Sequence, residues 1–441
     1  MRIAVVGSGI SGLGVAWLLN KKHDVVLYEC RSRLGGHTNT VEVDYPDGVQ
    51  AVDTGFIVYN EANYPNLTAL FDHLGIATEE SRMSFAVSVD NGRLEYSGRS
   101  LRHIFAQKRN LLSPRFAMML LDIVRFNRDG PACLAHGDVY NPPLGTFLDE
   151  RRYGSCFQRN YLLPMAAAIW SASLDKIREF PTQSFLRFFA NHNLLTVNGH
   201  HYWRTVAGGS QRYIDRMLAD FQGEIRLKSK VAQLRHGRAG PIVIDRQGHR
   251  DQFDRVVLAC HADQALAALA EPTVCQRSVL GAFPYQSNRA VLHRDPDLMP
   301  KRRSVWSSWN YMSNEQNAIG SGVSVSYWMN SLQNIREDRP LFVSLNPLRD
   351  PNPATVLGEY VNDHPVFDHR ATAAQARLAE IQGQGGIWFA GAYQGFGFHE
   401  DGLASAIRIA DAFGIQPPWA KQEITRPIFE PESPTALAQV I

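Results

Sequence analysis

The sequence has few cysteines, and they lie far apart. Five occur in 441 residues, at positions 30, 133, 156, 260 and 275, and no two of them form a CxxC pair. This pattern excludes a disulfide framework and a cysteine-based zinc cluster. We therefore expect a protein of a reducing compartment without a metal site.

Long apolar runs and a surplus of charge are also missing. No run approaches the roughly 18 apolar residues of a membrane span, and the stretch after Met1 is too short for the apolar core of a signal peptide. The formal net charge is only +2, which gives no reason to expect a nucleic-acid partner. We expect a cytoplasmic protein, and peripheral contact with the inner face of the cell membrane stays open.

The first residues carry a dinucleotide-binding pattern. Gly7, Gly9 and Gly12 form GxGxxG between an apolar strand and an apolar helix, and Glu29 ends the next strand. The glycines permit a tight turn, close approach to a pyrophosphate and close packing of helix on strand, while the acid accepts hydrogen bonds from ribose hydroxyls. The helix N-terminus, which includes Ser11, offers unpaired N–H groups to phosphate. The spacing predicts a dinucleotide site but does not separate NAD from FAD.

Motifs farther along the chain resemble the flavin-containing amine oxidase and phytoene desaturase superfamily. They are "RSRLGGHTNT", "VDTGF", "KSKVAQL" and the closing "IWFAGAYQGFGFHEDGLASAIRIA". The resemblance implies FAD, an α/β fold with a Rossmann-like FAD-binding domain, and a mixed α+β substrate domain. It also implies cofactor contacts beyond the first glycine turn, namely at Arg33, Gly35, Gly36, Thr38, Gly55, Phe56, Val231, Gly391, Gly402 and Leu403. In the family, a helix N-terminus near the last two of these positions faces the flavin.

The sequence departs from the amine oxidases at two points. Tyr393 stands where some of them have a cysteine that attaches the flavin, so we expect FAD to bind non-covalently. The lysine that holds a water near the flavin in many amine oxidases is not located in this sequence. These departures leave desaturase and isomerase activities open.

The order of predicted elements suggests a discontinuous cofactor domain interrupted by a substrate domain. We predict an FAD-binding domain from residues 1–80, 205–265 and 383–416, a substrate domain from 81–204 and 266–382, and a loosely packed tail at 417–441. Residues 101–128 are predicted to be helical and contain six Lys or Arg but one acid, Asp122. Such a segment suits an anionic membrane surface. The alternative is a helix packed on the protein with its charges in water.

The motifs "HADQAL", "YWMNSLQN" and "GFHEDGL" most resemble bacterial flavoproteins associated with fatty-acyl modification. This resemblance implies an FAD-dependent desaturase or dehydrogenase that takes a hydride from an activated C–H of a lipid substrate, such as a methyl-branched acyl chain of a phospholipid. The alternatives are an amine oxidase that produces hydrogen peroxide, a fatty acid double-bond isomerase and a non-catalytic flavin-binding redox protein. A base needs only hydrogen-bond reach of the leaving proton, so the candidate catalytic residues are His399, Tyr202 and His201.

Overall fold

The computed structural model describes residues 1–135, 141–196, 202–314 and 323–420. These residues form twenty strands and fifteen α-helices. The strands are β1 Arg2–Val6, β2 Asp24–Tyr28, β3 Thr40–Tyr45, β4 Gly48–Asp53, β5 Tyr59–Asn60, β6 Thr78–Ser81, β7 Phe85–Val89, β8 Leu94–Ser97, β9 Trp203–Val206, β10 Glu224–Arg226, β11 Val231–Gly237, β12 Gly240–Asp245, β13 Arg250–Gln252, β14 Arg255–Leu258, β15 Tyr285–His293, β16 Trp309–Ser313, β17 Ser324–Trp328, β18 Phe342–Leu345, β19 Val356–Pro365 and β20 Ile387–Phe389. The helices are α1 Ile10–Leu19, α2 Pro65–Leu74, α3 Leu101–Ile104, α4 Pro114–Ala135, α5 Leu144–Glu150, α6 Ser155–Phe157, α7 Leu163–Trp170, α8 Leu174–Arg178, α9 Thr182–Asn191, α10 Gln211–Ala219, α11 Ala262–Ala268, α12 Val274–Leu280, α13 Met329–Leu332, α14 His369–Gln375 and α15 His399–Ala412.

A parallel sheet forms the centre of one half of the molecule. Its strand order is β10-β2-β1-β14-β20, and every pair in it is parallel. The central strand β1 reads RIAVV, and four of its five residues are buried. Such near-continuous apolar strands are typical of parallel sheets covered on both faces. The predicted α/β, Rossmann-like architecture is confirmed.

The first and last helices of the described chain pack against each other. A Cβ added to Gly14 in α1 would lie 3.0 Å from Cβ of Ala406 and 3.2 Å from Cδ1 of Leu403, both in α15. A Cβ added to Gly402 would lie 2.8 Å from Cγ2 of Ile10. The two helices approach this closely because glycine stands at the contacts, and α15 is thereby held beside the glycine turn.

A seven-stranded sheet forms the second half, with the order β19-β15-β18-β17-β16-β7-β8. Its neighbours are antiparallel except β16 and β7, which run parallel. Apolar residues of this sheet share one core with those of α4, α5, α7 and α9. The mixed composition of this half agrees with the predicted fold class, whereas the exact division into domains stays a prediction.

The segment predicted to be helical is broken into three pieces. It forms α3, a 3₁₀ turn at Lys108–Leu112, and α4, which runs on to Ala135. Within the described ranges, no helix combines the length and the apolar character needed to cross a bilayer.

The prediction of a loosely packed tail is wrong for its first residues. Trp419 is only 4% exposed and its ring stacks on Trp17 of α1, with centroids 6.3 Å apart. Burial of the large indole ring stabilises the packing of this part of the chain on α1. The remaining tail, 421–441, lies outside the described residues.

Candidate active site

A single large cavity borders both halves of the molecule. Its volume is about 1540 Å³, and its wall includes the turn after β1, the loops after β2 and β14, and side chains of the seven-stranded sheet and of α7 and α9. Typical small-molecule sites have roughly 300–1,000 Å³. The cavity therefore has room for a cofactor and a second molecule. We call the part formed by Gly7, Gly9, Glu29, Gly36 and Val231 the dinucleotide end, and the part formed by Arg82, Arg99, Trp306, Trp309 and Trp328 the tryptophan end.

The glycine turn at the dinucleotide end requires glycine at two positions for two reasons. Gly7 has a φ of 103°, a conformation that other residues rarely adopt. A Cβ added to Gly12 would lie 1.8 Å from the carbonyl oxygen of Gly7, so a side chain there is incompatible with the turn. A Cβ added to Gly9 meets no atom within 4 Å, because Gly9 faces the cavity. Ser11 also borders the cavity, in the first turn of α1.

Glu29 lies on the cavity wall, where the predicted ribose contact requires it. Its side chain is 6% exposed. Oε2 accepts a hydrogen bond from the backbone N–H of Ser8 at 3.1 Å, and Oε1 accepts one from the N–H of Arg31 at 2.8 Å. The hydroxyl of Ser8 also donates to Oε2 and the thiol of Cys30 to Oε1, so each oxygen has two donors that fix the carboxylate. A ribose hydroxyl would replace one of the two side-chain donors. Val231 borders the same end of the cavity.

The second glycine loop is shaped by the side chain of Arg33. The guanidinium donates from Nη2 to the carbonyl of Gly36 and from Nη1 to the carbonyl of Thr38, both at 2.9 Å. Gly36 borders the cavity, and a Cβ there would lie 2.9 Å from Cα of Gly9. Arg33, Gly35 and Thr38 do not border it. The loop therefore presents backbone to the cavity, while Arg33 holds the loop from behind.

Three further predicted cofactor residues border the cavity at other points of the wall. They are Gly55, Phe56 and Gly391. The N–H of Gly391 donates to Oγ of Ser405 in α15 at 3.0 Å, which ties the turn after β20 to this helix. Tyr393, which follows on the same turn, is buried and also borders the cavity.

The position of the last helix differs from the prediction. The N-terminus was expected near Gly402 and Leu403, but α15 begins at His399. Asp401 caps this earlier start by accepting the N–H of Phe398 at 2.9 Å, and the N–H of Gly402 already donates to the carbonyl of Phe398 at 3.1 Å. Neither Gly402 nor Leu403 borders the cavity. The residues of this turn that do are Phe398 and His399.

Comparisons with known proteins agree with this geometry. The family model described as flavin containing amine oxidoreductase matches residues 10–291, well over half of the chain. The chain belongs to this family. The comparison with curated proteins found no match.

Solved structures of similar fold include enzymes named for different reactions. One is the CLA-producing fatty acid isomerase from P. acnes, 14% identical, with a TM-score of 0.65 over 94% of this chain and 99% of that one. Putrescine oxidase is 17% identical, with a TM-score of 0.65 over 94% and 99%. Cyclohexylamine oxidase from Brevibacterium oxydans IH-35A is 15% identical, with a TM-score of 0.64 over the same shares. At these identities the likeness shows a shared fold.

As a member of this family, the protein is an FAD-dependent oxidoreductase, and the dinucleotide end fits the cofactor. Gly9 and Gly36 bring backbone to the cavity without a side chain in the way, and the N-terminus of α1 points its free N–H groups there. Glu29 is fixed at this end by two backbone N–H groups and would be the residue that meets the ribose hydroxyls. Tyr393 carries no thiol that could attach a flavin, in line with the expectation of non-covalent binding.

His399, a predicted catalytic residue of this flavoenzyme, is enclosed by protein. Its ring stacks on Phe56 with centroids 3.8 Å apart, and Nε2 lies 3.1 Å from Oγ1 of Thr38. Thr38 in turn is 2.6 Å from the hydroxyl of Tyr213. Burial lowers the pKa of His399 to about 3, so the ring is neutral near pH 7. A base is most effective with a pKa close to the working pH, which favours a positioning role for His399.

The other two predicted catalytic residues are adjacent in sequence. Tyr202 borders the cavity and is 83% exposed, so its hydroxyl is open to water. His201 lies outside the described residues. Tyr202 and His399 are thus both on the cavity wall, and no measured contact joins them.

A cluster of three histidines that sequence reasoning did not select also borders the cavity. The ring of His37 lies 5.2 Å from that of His364 and 6.4 Å from that of His261, measured between centroids. Burial lowers the pKa of all three, to about 4 for His364, so the cluster is neutral near pH 7. Nε2 of His37 is buried and has no hydrogen-bond partner within the described part of the chain. His37 and His261 have a signal in the sequence, because His37 follows Gly36 directly and His261 lies in "HADQAL". His364 lies in none of the quoted motifs.

Proposed function

We propose that the protein is an FAD-dependent desaturase or dehydrogenase of a lipid acyl chain. The observation that carries this proposal is the apolar lining beyond the dinucleotide end. Phe85 and Trp309 from the seven-stranded sheet and Met83 from the loop before β7 border the same cavity as Met165 and Ile169 of α7. Burial of each CH₂ group in such surroundings contributes about 0.8 kcal/mol to the free energy of binding. The wall therefore favours a long acyl chain over a short one.

The chemistry requires a hydride acceptor and a group that takes a proton. FAD, when bound, supplies the acceptor. The protein's part is to keep an activated C–H, such as an allylic one, in a water-poor site and to remove the neighbouring proton. Tyr202 and His201 stay the candidates for this step. His37, whose buried Nε2 has no partner in the described chain, has a lowered pKa like His399 and is better suited to positioning. Phe56 and Phe398 add apolar surface to the same wall.

The test of this function is an anaerobic titration of the purified yellow protein. We expect loss of the flavin band near 450 nm on addition of phospholipids with unsaturated or methyl-branched acyl chains, and a product lighter by two hydrogens in mass spectrometry. A mass-neutral product would indicate a double-bond isomerase. A flavin band that no lipid reduces would contradict the proposal and favour a non-catalytic redox protein.

Amine oxidation is the second candidate, since putrescine oxidase and cyclohexylamine oxidase share the fold. One feature of the cavity argues against it. Among the lysines that the structure describes, only Lys230 borders the cavity, and it lies next to Val231 at the dinucleotide end. Release of hydrogen peroxide with polyamines or cyclic amines, measured by a peroxidase-coupled assay, would favour the amine oxidase.

We also propose that the enzyme takes its lipid at a membrane surface. The large apolar residues exposed in the region of α3 and α4 are Leu101, Leu111, Leu112, Met118, Leu121 and Val124. We call them the apolar ridge. Phe116, Met119 and Phe126 are buried on the protein side of α4, so this helix is apolar on two faces. Of the six Lys or Arg residues in 101–128, Arg125 pairs with Asp122 and Arg128 with Asp129, and the other four would meet anionic headgroups. The cavity-lining residues Gly98 and Arg99 directly precede α3.

Vesicle co-sedimentation tests the membrane proposal. The variant Leu111→Ser/Leu112→Ser should lose at least tenfold in affinity for phosphatidylglycerol vesicles, because each buried leucine contributes about 2 kcal/mol. Leu112 is 88% exposed, so the fold is not expected to change. The matched control is Val274→Ser in α12, which replaces a residue that is 85% exposed elsewhere. Equal sedimentation of both variants, or none by the wild type, would contradict the proposal.

A further inference from the structure

Two arginines at the tryptophan end have no acidic partner among the described residues. Arg82 follows β6, Arg99 follows β8, and both border the cavity. Within the part of the chain that the structure describes, neither forms an ion pair. The one hydrogen bond of the Arg99 guanidinium runs from Nη1 to the carbonyl of Trp306 at 3.5 Å. Both charges are exposed to the cavity and open to a ligand.

The two arginines are attached to the same short segment, 306–308. Oγ of Ser308 donates to the carbonyl of Arg82. On the other side, Oγ of Ser97 lies 2.8 Å from Oγ of Ser307, and Arg99 follows two residues after Ser97. These contacts hold the backbones at Arg82 and Arg99 on one wall of the cavity, so the two side chains begin from the same region of that wall.

Aromatic rings adjoin these charges. The side chain of Trp306 is buried and meets Trp328 edge to face, with centroids 5.7 Å apart. The guanidinium of Arg303 lies over both rings, at 3.9 and 4.5 Å from their centroids. Trp309 lies on the same wall. A ligand that binds here meets a cationic rim and an apolar wall within one site.

Charges around the tryptophan end leave a positive excess. Two acids, Glu80 and Glu337, border the cavity there. Glu337 lies 4.0 Å from Nη2 of Arg303, so this pair is close to neutral. Among the described residues that border this end, the two positive charges of Arg82 and Arg99 are then balanced by the single negative charge of Glu80. A negative group is attracted to this end, whereas a protonated amine is repelled.

We propose that Arg82 and Arg99 bind the anionic end of the acyl substrate. The guanidinium groups would donate charge-assisted hydrogen bonds to a carboxylate or phosphate, and the chain would run past Trp309, Met83 and Phe85 into the cavity. This inference rests on the proposed acyl substrate and specifies how that substrate is recognised. The same chemistry fits a free fatty acid and the phosphate of a phospholipid.

Binding of ten-carbon probes to the FAD-loaded enzyme tests the proposal without turnover. Isothermal titration calorimetry compares decanoate, decyl phosphate, decanol and decylamine below their micelle concentrations. We expect the better anion to bind at least tenfold more tightly than decanol, and decylamine to bind most weakly. Tighter binding of decanoate identifies a free fatty acid as the source of the anion, and tighter binding of decyl phosphate identifies a phospholipid.

Variants connect the effect to the two arginines. Arg82→Gln and Arg99→Gln should each weaken anion binding severalfold, and together they should reduce it to the level of decanol. Arg238→Gln is the matched control, because Arg238 is an exposed arginine on the turn between β11 and β12, outside the cavity wall. Unchanged flavin content and melting temperature exclude a folding defect.

Two kinds of result would overturn the inference. One contradicts only the anion site, and the other also contradicts the proposed acyl substrate. Equal affinity of the wild type for decanoate, decyl phosphate and decanol, or retention of the anion preference in the double variant, removes the anion site but leaves the acyl substrate intact. Binding of decylamine alone, or of no ten-carbon probe, removes the acyl substrate as well.

Discussion

Backbone groups from two short loops form much of the dinucleotide end of the cavity, whereas side chains from strands and loops far apart in the chain form the tryptophan end. Gly9 and Gly36 face the cavity with their main chain, and Glu29 at the same end is 6% exposed and accepts hydrogen bonds from two backbone N–H groups. Arg82 and Arg99 at the tryptophan end are exposed, and among the described residues the guanidinium of Arg99 has one long hydrogen bond, to the carbonyl of Trp306. The difference indicates that binding at the dinucleotide end depends on steric fit, whereas binding at the tryptophan end depends on charge and apolar area. We therefore expect the tryptophan end to tolerate substitutions better.

The largest expected effect comes from two glycines of one turn that differ in their surroundings. Gly12→Ala places a Cβ 1.8 Å from the carbonyl oxygen of Gly7, so the turn cannot keep its shape and the protein should be colourless and poorly folded. Gly9→Ala meets no protein atom within 4 Å, so the melting temperature without FAD should stay within about 2 °C of the wild type while FAD binding is lost. Flavin absorbance and thermal melts measure both. Similar behaviour of the two variants would contradict the steric account.

A moderate effect is expected from acid, through the cluster of His37, His261 and His364. Burial lowers their pKa values below the ordinary 6.5. Between that value and about 4, the unfolded chain binds protons that the folded protein excludes. Their contribution to the free energy of unfolding is therefore complete above pH 6.5 and falls as the pH drops, by an amount on the order of 2 kcal/mol.

Chemical denaturation at several pH values measures this loss. His364→Asn removes one titrating ring next to Asn288, which lies 3.2 Å from Nδ1 of His364. The variant should lose less stability between pH 6.5 and 4 than the wild type does. Identical pH dependence of the two proteins would show that the cluster does not carry the effect.

The smallest effect is expected at His399, which packs on the wall between the two ends. With a pKa of about 3, its ring does not titrate between pH 5 and 9. His399→Gln should keep FAD, lower the rate of flavin reduction by less than about tenfold, and leave the pH profile unchanged, since the amide can still reach Oγ1 of Thr38. A loss above about a hundredfold with full flavin content would instead identify His399 as the base.

The two ends also differ in how far the sequence predicts them. The strand, glycine turn, helix and acid of the dinucleotide end are contiguous, and each residue type has a local steric or hydrogen-bonding reason. The predicted start of α15 was too late. The run HEDG resembles a segment that precedes a helix, but it already forms the first turn, in which Asp401 accepts the N–H of Phe398.

Sequence patterns gave no comparable signal for the tryptophan end. Trp306 and Trp328 meet only after β17 pairs with β16, and Arg99 reaches Trp306 from a loop more than two hundred positions earlier. An isolated arginine or tryptophan in a sequence is ordinarily a surface or core residue. Their convergence is a property of the seven-stranded sheet, which local periodicity does not encode.

The packing of α1 on α15 has a consequence for biosynthesis. Ribosomes add about 5–20 residues per second, so the glycine turn emerges tens of seconds before the helix that covers it. For more than half of that interval the buried faces of β1 and α1 lack β14, and they lack β20 and α15 until its end. These apolar faces are exposed to neighbouring copies meanwhile, and we expect stable flavin binding only after α15 is made.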